Sequence, residues 1–295
     1  MDHGEYVSKT AAHYTEQWGA DLKFGDFVKQ NPDTAKAMPS RQLPWQSLFD
    51  KIRDEASRRT VKVYDAACGY GDIMNALTAT PNPSGLRYFG MDLHGSLDDI
   101  ERPANASLVQ ADITKPADQG LFDFILCRAA IHHTPNPPAT YRTLVDQLAS
   151  GGTIAITAYA KKTPMREAID DALRSEIVAM DTGAAFAVAN QITKLGRDLQ
   201  ACDGVVTIAE DLPFLGIKAG RYPVQSFIYQ HFMKCWHNPN FSERHCDLVN
   251  FDWYHPPYAY RYEMDELKQW SAECSLVVAR TASTEAQHYL EAVKP

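Results

Sequence analysis

The chain has no run of lysine or arginine and no basic excess: 29 Lys and Arg stand against 37 Asp and Glu, a formal net charge of −8. Nucleic-acid binders carry a basic face, so neither DNA nor RNA is expected as a partner. No apolar run approaches the ~18 residues that a membrane-spanning helix needs. Met1 leads into Asp2, His3 and Glu5 without the charged-then-apolar pattern of a leader. A soluble, cytoplasmic protein with no membrane partner is therefore expected. Cysteine is scattered, at positions 68, 127, 202, 235, 246 and 274, and no two form a C-x-x-C pair. That pattern excludes a disulfide framework and fits reduced thiols. There is no internal repeat and no low-complexity tract, which excludes a repeat architecture. His231, Cys235, His237, His245, Cys246 and His255 fall in one region, but no second pair beside His231 and Cys235 repeats a recognised zinc spacing. No metal is expected.

What is present is ordinary bulk and one unusual stretch. Hydrophobic residues make up 45% and charged residues 22% of the 295, as in a soluble globular chain of one large domain or a domain with an elaborated insertion. The sequence is organised around residues 61–73. A short run of β-branched and aromatic residues there ends in Asp65, small residues follow, and Ile73 to Leu77 has helix-compatible spacing. Strand, tight turn and helix in that order bring backbone N–H groups and a helix N-terminus up to a ligand. Gly69 and Gly71 let the backbone approach without a Cβ in the way. The dinucleotide pattern G-x-G-x-x-G fails at its third glycine, where Met74 stands.

The segment Asp65-Ala66-Ala67-Cys68-Gly69-Tyr70-Gly71, D-x-A-C-G-x-G, resembles the first motif of class I S-adenosylmethionine (SAM) methyltransferases. It departs from the family at Ala67, where glycine is usual. SAM carries a sulfonium and an ammonium, to which a carboxylate at the turn is attractive. Four further strands are read from the residues. Leu86–Leu93 carries Asp92, about 20 residues past the glycines, the distance of one βα unit. Ser107–Ile113 carries Asp112, and Leu121–Arg128 is nearly all apolar, as a doubly covered parallel strand should be. Thr153–Tyr159 is the fifth, after a helix over Tyr141–Leu148 that Gly151-Gly152 is expected to stop.

The resemblance covers residues 61–159 and implies an α/β fold. It is a Rossmann-like doubly wound sheet, mostly parallel with an antiparallel edge strand, plus N-terminal helices and a helical lid insertion. Four segments are expected: an N-terminal helical cap (1–60), a SAM-binding core (61–160), a helical and aromatic-rich substrate lid (161–262), and a C-terminal helix with closing strands (263–295). In the cap, helices are read over Tyr6–Trp18, Leu22–Val28 and Trp45–Ile52, with breaks at Asn31-Pro32-Asp33 and Pro39–Trp45. In the lid they are read over Pro164–Met180, Phe186–Leu199 and Pro223–Trp236, the last with Phe227, Ile228, His231, Phe232 and Cys235 on an apolar stripe. A helix over Glu263–Ser275 precedes closing strands Leu276–Arg280 and His288–Val293.

By the same resemblance, Asp65, Ala67, Cys68, Gly69 and Gly71 of the turn hold the cofactor. Asp92 accepts its ribose hydroxyls beside Leu93, and Asp112 and Ile113 meet the adenine. Cys127 and Arg128 end the strand beneath the methyl group, and Arg41 pairs with the SAM carboxylate. Ile131-His132-His133-Thr134-Pro135 resembles the family's fourth motif, which makes His132 and His133 candidates for a base. Tyr254, His255, Tyr258, Tyr260 and Arg261 flank two prolines and read as a rigid wall for a flat or sugar-like acceptor, with His231 nearby in sequence. Lys234 and Arg221 are candidates for pairing with an anionic substrate. The expected function is methyl transfer from SAM to a hydroxyl or amine of a small metabolite, a sugar or natural-product intermediate. A non-catalytic SAM-binding module is one alternative, and a nicotinamide oxidoreductase, opposed by Met74 and Asp65, is another. The number of subunits is open, a homodimer included.

Overall fold

The computed structural model describes residues 1–19, 43–95 and 97–295. The helix expected over 22–28, the break at Asn31-Pro32-Asp33, residues 39–42 of the next break, and Arg41 lie outside them. The described residues form two compact units, Met1–Ala160 with Tyr260–Pro295, and Lys161–Ala259.

In the first unit, β1 (Val61–Ala66), β2 (Leu86–Asp92), β3 (Ala106–Gln110), β4 (Phe122–Cys127) and β5 (Leu148–Ala160) lie parallel in the order β3-β2-β1-β4-β5. Beyond β5 the sheet continues through β10 (Gln287–Val293), which runs antiparallel to both β5 and the edge strand β9 (Val277–Ser283). The two-residue strand β8 (Arg261–Tyr262) pairs with the carboxyl end of β5. That pairing places residues 260–262 with the sheet rather than with the insertion in which they were expected.

Strand side chains alternate between two cores, as the period of two requires. Val61 and Val63 of β1 pack with α2 (Trp45–Arg58) and α3 (Asp72–Thr78), whereas Tyr64 and Ala66 face α4 (Pro137–Asp146) and the later helix at Met264–Glu273. Trp45, Leu48, Phe49 and Ile52 are all buried, the apolar face expected from their spacing. Gly151-Gly152 is not the stop of a helix. Helix α4 ends at Asp146, and the two glycines sit in an irregular start of β5, where Phe122 pairs with Leu148 but Phe124 pairs with Thr153. A Cβ on Gly152 would lie 2.8 Å from the Ala149 carbonyl oxygen, so this bulge needs glycine. Helix α1 (His3–Gly19) buries Tyr6, Thr10 and His13 at helical spacing.

The second unit contains α5 (Pro164–Ile177), α6 (Thr182–Gln200), the hairpin of β6 (Val205–Ile208) and β7 (Gly220–Pro223), α7 (Val224–His231) and α8 (Glu243–Tyr254). Helix α7 stops at His231, not Trp236, so Phe232 and Cys235 do not extend its stripe. The chain instead presses on α6, where a Cβ on Gly196 would lie 2.3 Å from the Cys235 carbonyl oxygen. The C-terminal helix of the first unit, α9 (Met264–Glu273), opens with a reciprocal capping box between Glu263 and Glu266. Among the described residues no helix is long and apolar enough to cross a membrane.

Candidate active site

The carboxyl ends of β1 and β2 meet at the glycine turn. Asp92, the last residue of β2, accepts the Gly69 N–H on Oδ2 at 2.8 Å and the His94 N–H on Oδ1 at 3.1 Å. The His94 ring returns to the Gly69 carbonyl at 2.9 Å, so strand end and turn are tied twice. Gly69 (φ 51°) and Gly71 (φ 78°) are left-handed, as is Ala67 at φ 66°. A left-handed alanine carries a steric cost of roughly 1–2 kcal/mol that glycine escapes. Ala67→Gly is therefore expected to hold or raise thermal stability by up to about 1 kcal/mol. A melting curve showing a clear loss would contradict the strain assigned here.

Asp65 is the electrostatic centre. It is 1% exposed, and its Oδ2 accepts the Tyr88 hydroxyl at 2.5 Å. Its Oδ1 is buried without a hydrogen-bond partner among the described residues. Burial pushes its carboxyl up to about 7, against the opposing pull of the Tyr88 hydrogen bond and the Arg128 charge. A buried carboxylate with an open oxygen is a demand for a cationic donor. SAM's ammonium would supply such a donor and its sulfonium a further positive charge, and the left-handed glycines leave room for backbone approach. The residues present fit that cofactor.

The remaining cofactor candidates are arranged around this turn. Asp112 accepts the Thr114 N–H and hydroxyl at 2.9 and 2.8 Å and lies 3.2 Å from the His3 ring on α1. Ile113 is buried beside it. The Leu93 carbonyl accepts from Gln110 at 3.0 Å. Arg128 turns toward α3 and pairs with Asp72 at 3.3 Å. Burial drives the Cys68 and Cys127 thiols well above the usual range, so both stay uncharged packing groups. Helix α1 reaches three of these loops, through His3 to Asp112, Thr15 to the Gly95 N–H at 3.4 Å, and Tyr14 to the His133 ring at 6.0 Å between centroids.

His132 and His133 are buried in a single turn after β4, with ring centroids 4.2 Å apart. Both lean on Tyr159 at the end of β5, at 3.8 and 5.4 Å. The His132 carbonyl accepts the Tyr260 N–H at 2.9 Å, and Ala129 (φ 57°) is fixed by its N–H to Thr157 Oγ1 at 2.8 Å. Tyr88, His94, Thr157 and Tyr159 escaped the sequence reading. Each acts on a segment distant in sequence, Tyr88 on β1 and His94, Thr157 and Tyr159 on the turns after β1 and β4, and only the tyrosine two residues before Gly90, itself opposite Asp65, offered any signal.

The acceptor candidates are divided between the units. Tyr260 and Arg261 belong to the first, with the Tyr260 hydroxyl 3.3 Å from the Pro135 carbonyl. Tyr254, His255, Tyr258 and His231 belong to the second. Tyr254 is 1% exposed and its hydroxyl donates to Asp170 at 2.7 Å, which makes it a packing post rather than part of an open wall. His255 stacks on Phe251 at 4.8 Å. A surface cavity of 390 Å³ lined by Lys51, Arg59, Asp123 and Gly151 opens at the amino ends of β1, β4 and β5, the end opposite the acids, and takes no part in this chemistry. Among the described residues no group of three or more His, Cys, Asp or Glu is placed to hold a metal ion.

A 3-2-1-4-5 parallel sheet with an inserted antiparallel strand, a glycine turn after β1 and acids at successive strand ends define the class I methyltransferase architecture. The chain belongs to the family whose model is described as a methyltransferase domain, which matches residues 39–193. Comparison with curated protein sequences finds no match. Among solved structures, magnesium protoporphyrin IX methyltransferase from Synechocystis PCC 6803, with bound S-adenosylhomocysteine, is 12% identical with a TM-score of 0.50 over 100% of both chains. The 1,6-didemethyltoxoflavin-N1-methyltransferase of Burkholderia thailandensis is 11% identical over 100% of this chain and 91% of its own, with a TM-score of 0.47. N-methyltransferase NodS from Bradyrhizobium japonicum WM9 is 10% identical over 97% and 99%, with a TM-score of 0.46.

Proposed function

We propose that this protein transfers the methyl group of SAM to a hydroxyl or amine of a small metabolite, a sugar or natural-product intermediate. The observation that carries the reading is the Asp65 carboxylate, buried with one open oxygen beside a left-handed glycine turn. In the proposal Asp65 and the 67–71 backbone hold the amino-acid end of the cofactor, Asp92 accepts from its ribose, and Asp112 with Ile113 meets the adenine. Bound SAM supplies a methyl group on a sulfonium, activated for in-line displacement. The protein's part is alignment and, for a neutral hydroxyl, removal of a proton. His133 takes that proton, and His132, packed against Tyr159, sets its orientation. Residues 161–259 recognise the acceptor. The net charge of −8 supports a small molecule over nucleic acid, and six free cysteines support a reducing cytoplasm.

The test is an acceptor screen with His133→Ala alongside the parent. Turnover on a hydroxyl acceptor should fall by about 10²–10⁴-fold, the usual worth of a general base, with S-adenosylhomocysteine affinity nearly intact. Equal loss of both would make His133 a structural residue.

A further inference from the structure

Acids crowd the glycine turn. Besides burial and the Tyr88 hydrogen bond, three charges act on the Asp65 carboxyl: Arg128 draws it down, and Asp92 and Asp72 push it up. The β1–β4 register explains how the cation comes to stand among the acids. Asp65 lies opposite Leu126, so Arg128, two residues further on, leaves the sheet beside the end of β1. Its side chain then reaches Asp72, the first residue of α3 and the neighbour of Gly71.

Arg128 uses little of its hydrogen-bonding capacity inside the protein. A guanidinium carries its N–H donors in a planar fork with two edges. Among the described residues Arg128 makes a single hydrogen bond, from Nη2 to Asp72 Oδ2 at 3.3 Å, longer than is usual for such a bond. Its Nε and Nη1 have no partner among those residues. Both side chains of the pair are 34% exposed, so the guanidinium borders open space. Asp65 shows the complementary gap, since its Oδ1 is buried and accepts no hydrogen bond among the described residues. The acid lacks a donor and the cation has donors to give, yet the two form no ion pair within 4.0 Å. Such a separation suits a ligand that carries both signs, an ammonium for the acid and a carboxylate for the guanidinium.

We propose that Arg128 holds the carboxylate of the cofactor's amino-acid end while Asp65 takes its ammonium. This assignment rests on SAM as the cofactor and divides its zwitterion between the ends of two neighbouring strands. Without a cation here, the cofactor's own carboxylate would meet Asp65, Asp72 and Asp92 as a like charge, which costs affinity. A planar fork that keeps one arm on Asp72 still presents its other edge to a carboxylate, as a bidentate pair requires. Arg41, to which the family resemblance gives this task, lies outside the described residues.

Calorimetric titration of the full-length protein with S-adenosylhomocysteine and with its decarboxylated analogue, which keeps the ammonium and lacks the carboxylate, tests it. The parent should bind S-adenosylhomocysteine about ten- to a hundredfold more tightly than the analogue, the worth of a charge-assisted hydrogen bond. Arg128→Met should lose most of that preference, and Arg128→Lys should recover part of it, since an ammonium offers the charge without the fork. If Arg128→Met fails to fold, the neutral and still polar Arg128→Gln takes its place in the comparison. A parent without the preference, or an undiminished preference in the folded neutral variant, overturns the assignment. So does an equal loss of both ligands, which would make Arg128 a support for ionised Asp65 instead. Failure of the parent to bind either ligand removes the cofactor reading and this assignment with it, whereas binding with the preference unchanged by substitution removes Arg128 alone.

Discussion

Asp92→Ala is expected to weaken S-adenosylhomocysteine binding by one to two decades, about the loss of a charge-assisted hydrogen-bond pair worth roughly 1.5–3 kcal/mol. Two losses combine. The carboxylate is the acceptor proposed for the ribose hydroxyls, and it also takes the Gly69 and His94 N–H groups that hold the turn against β2. Asp92→Asn keeps one carbonyl oxygen for Gly69 and should fall between parent and alanine variant. Calorimetric titration, with circular dichroism to confirm an intact fold, reads both. Unchanged affinity in Asp92→Ala would remove this residue from the site.

The second large effect is on stability and its pH dependence. Unfolded, the Asp65 carboxyl titrates near 3.8; folded, burial holds it at about 7. Between those values the folded state binds more proton than the unfolded state. The stability that protonated Asp65 contributes is therefore complete below about pH 4 and is lost as pH rises through about 7. At ~1.4 kcal/mol per pKa unit the full loss is on the order of 4 kcal/mol. Asp65→Asn removes the titration while keeping an acceptor for the Tyr88 hydroxyl. The ligand-free variant should melt well above the parent near pH 8 and close to it near pH 4, and it should bind SAM more weakly. Parallel melting-temperature profiles for the two proteins would contradict the buried ionisation. Such a carboxyl trades stability for a ligand-ready charge, a common compromise at functional sites.

The sheet and the cofactor side of the site were legible because their signals are local. Asp65 and Asp92 lie on strands whose short apolar runs can be read within a few residues, and the 61–73 stretch carries strand, turn and helix in one line. The acid's partner was hidden, since Tyr88 meets Asp65 only through the β1–β2 register. The glycines at 151 and 152 misled because the same residue that ends helices also permits a bulge. In the second unit, β6 and β7 are only four residues long, too short for their periodicity to stand out. Helix α8 was obscured by its aromatic composition, which reads equally well as a rigid wall. The hydrogen bond from Tyr254 to Asp170 joins residues 84 positions apart, and no spacing in the sequence announces it. Likewise Tyr260 and Arg261 read as part of one aromatic run until β8 is seen to pair with β5.

The most direct test of the cofactor assignment is calorimetric titration of the purified protein with S-adenosylhomocysteine beside NAD. Micromolar binding of S-adenosylhomocysteine, with no heat from NAD, is the predicted result; binding of NAD alone would contradict the role given to Asp65 and its glycine turn.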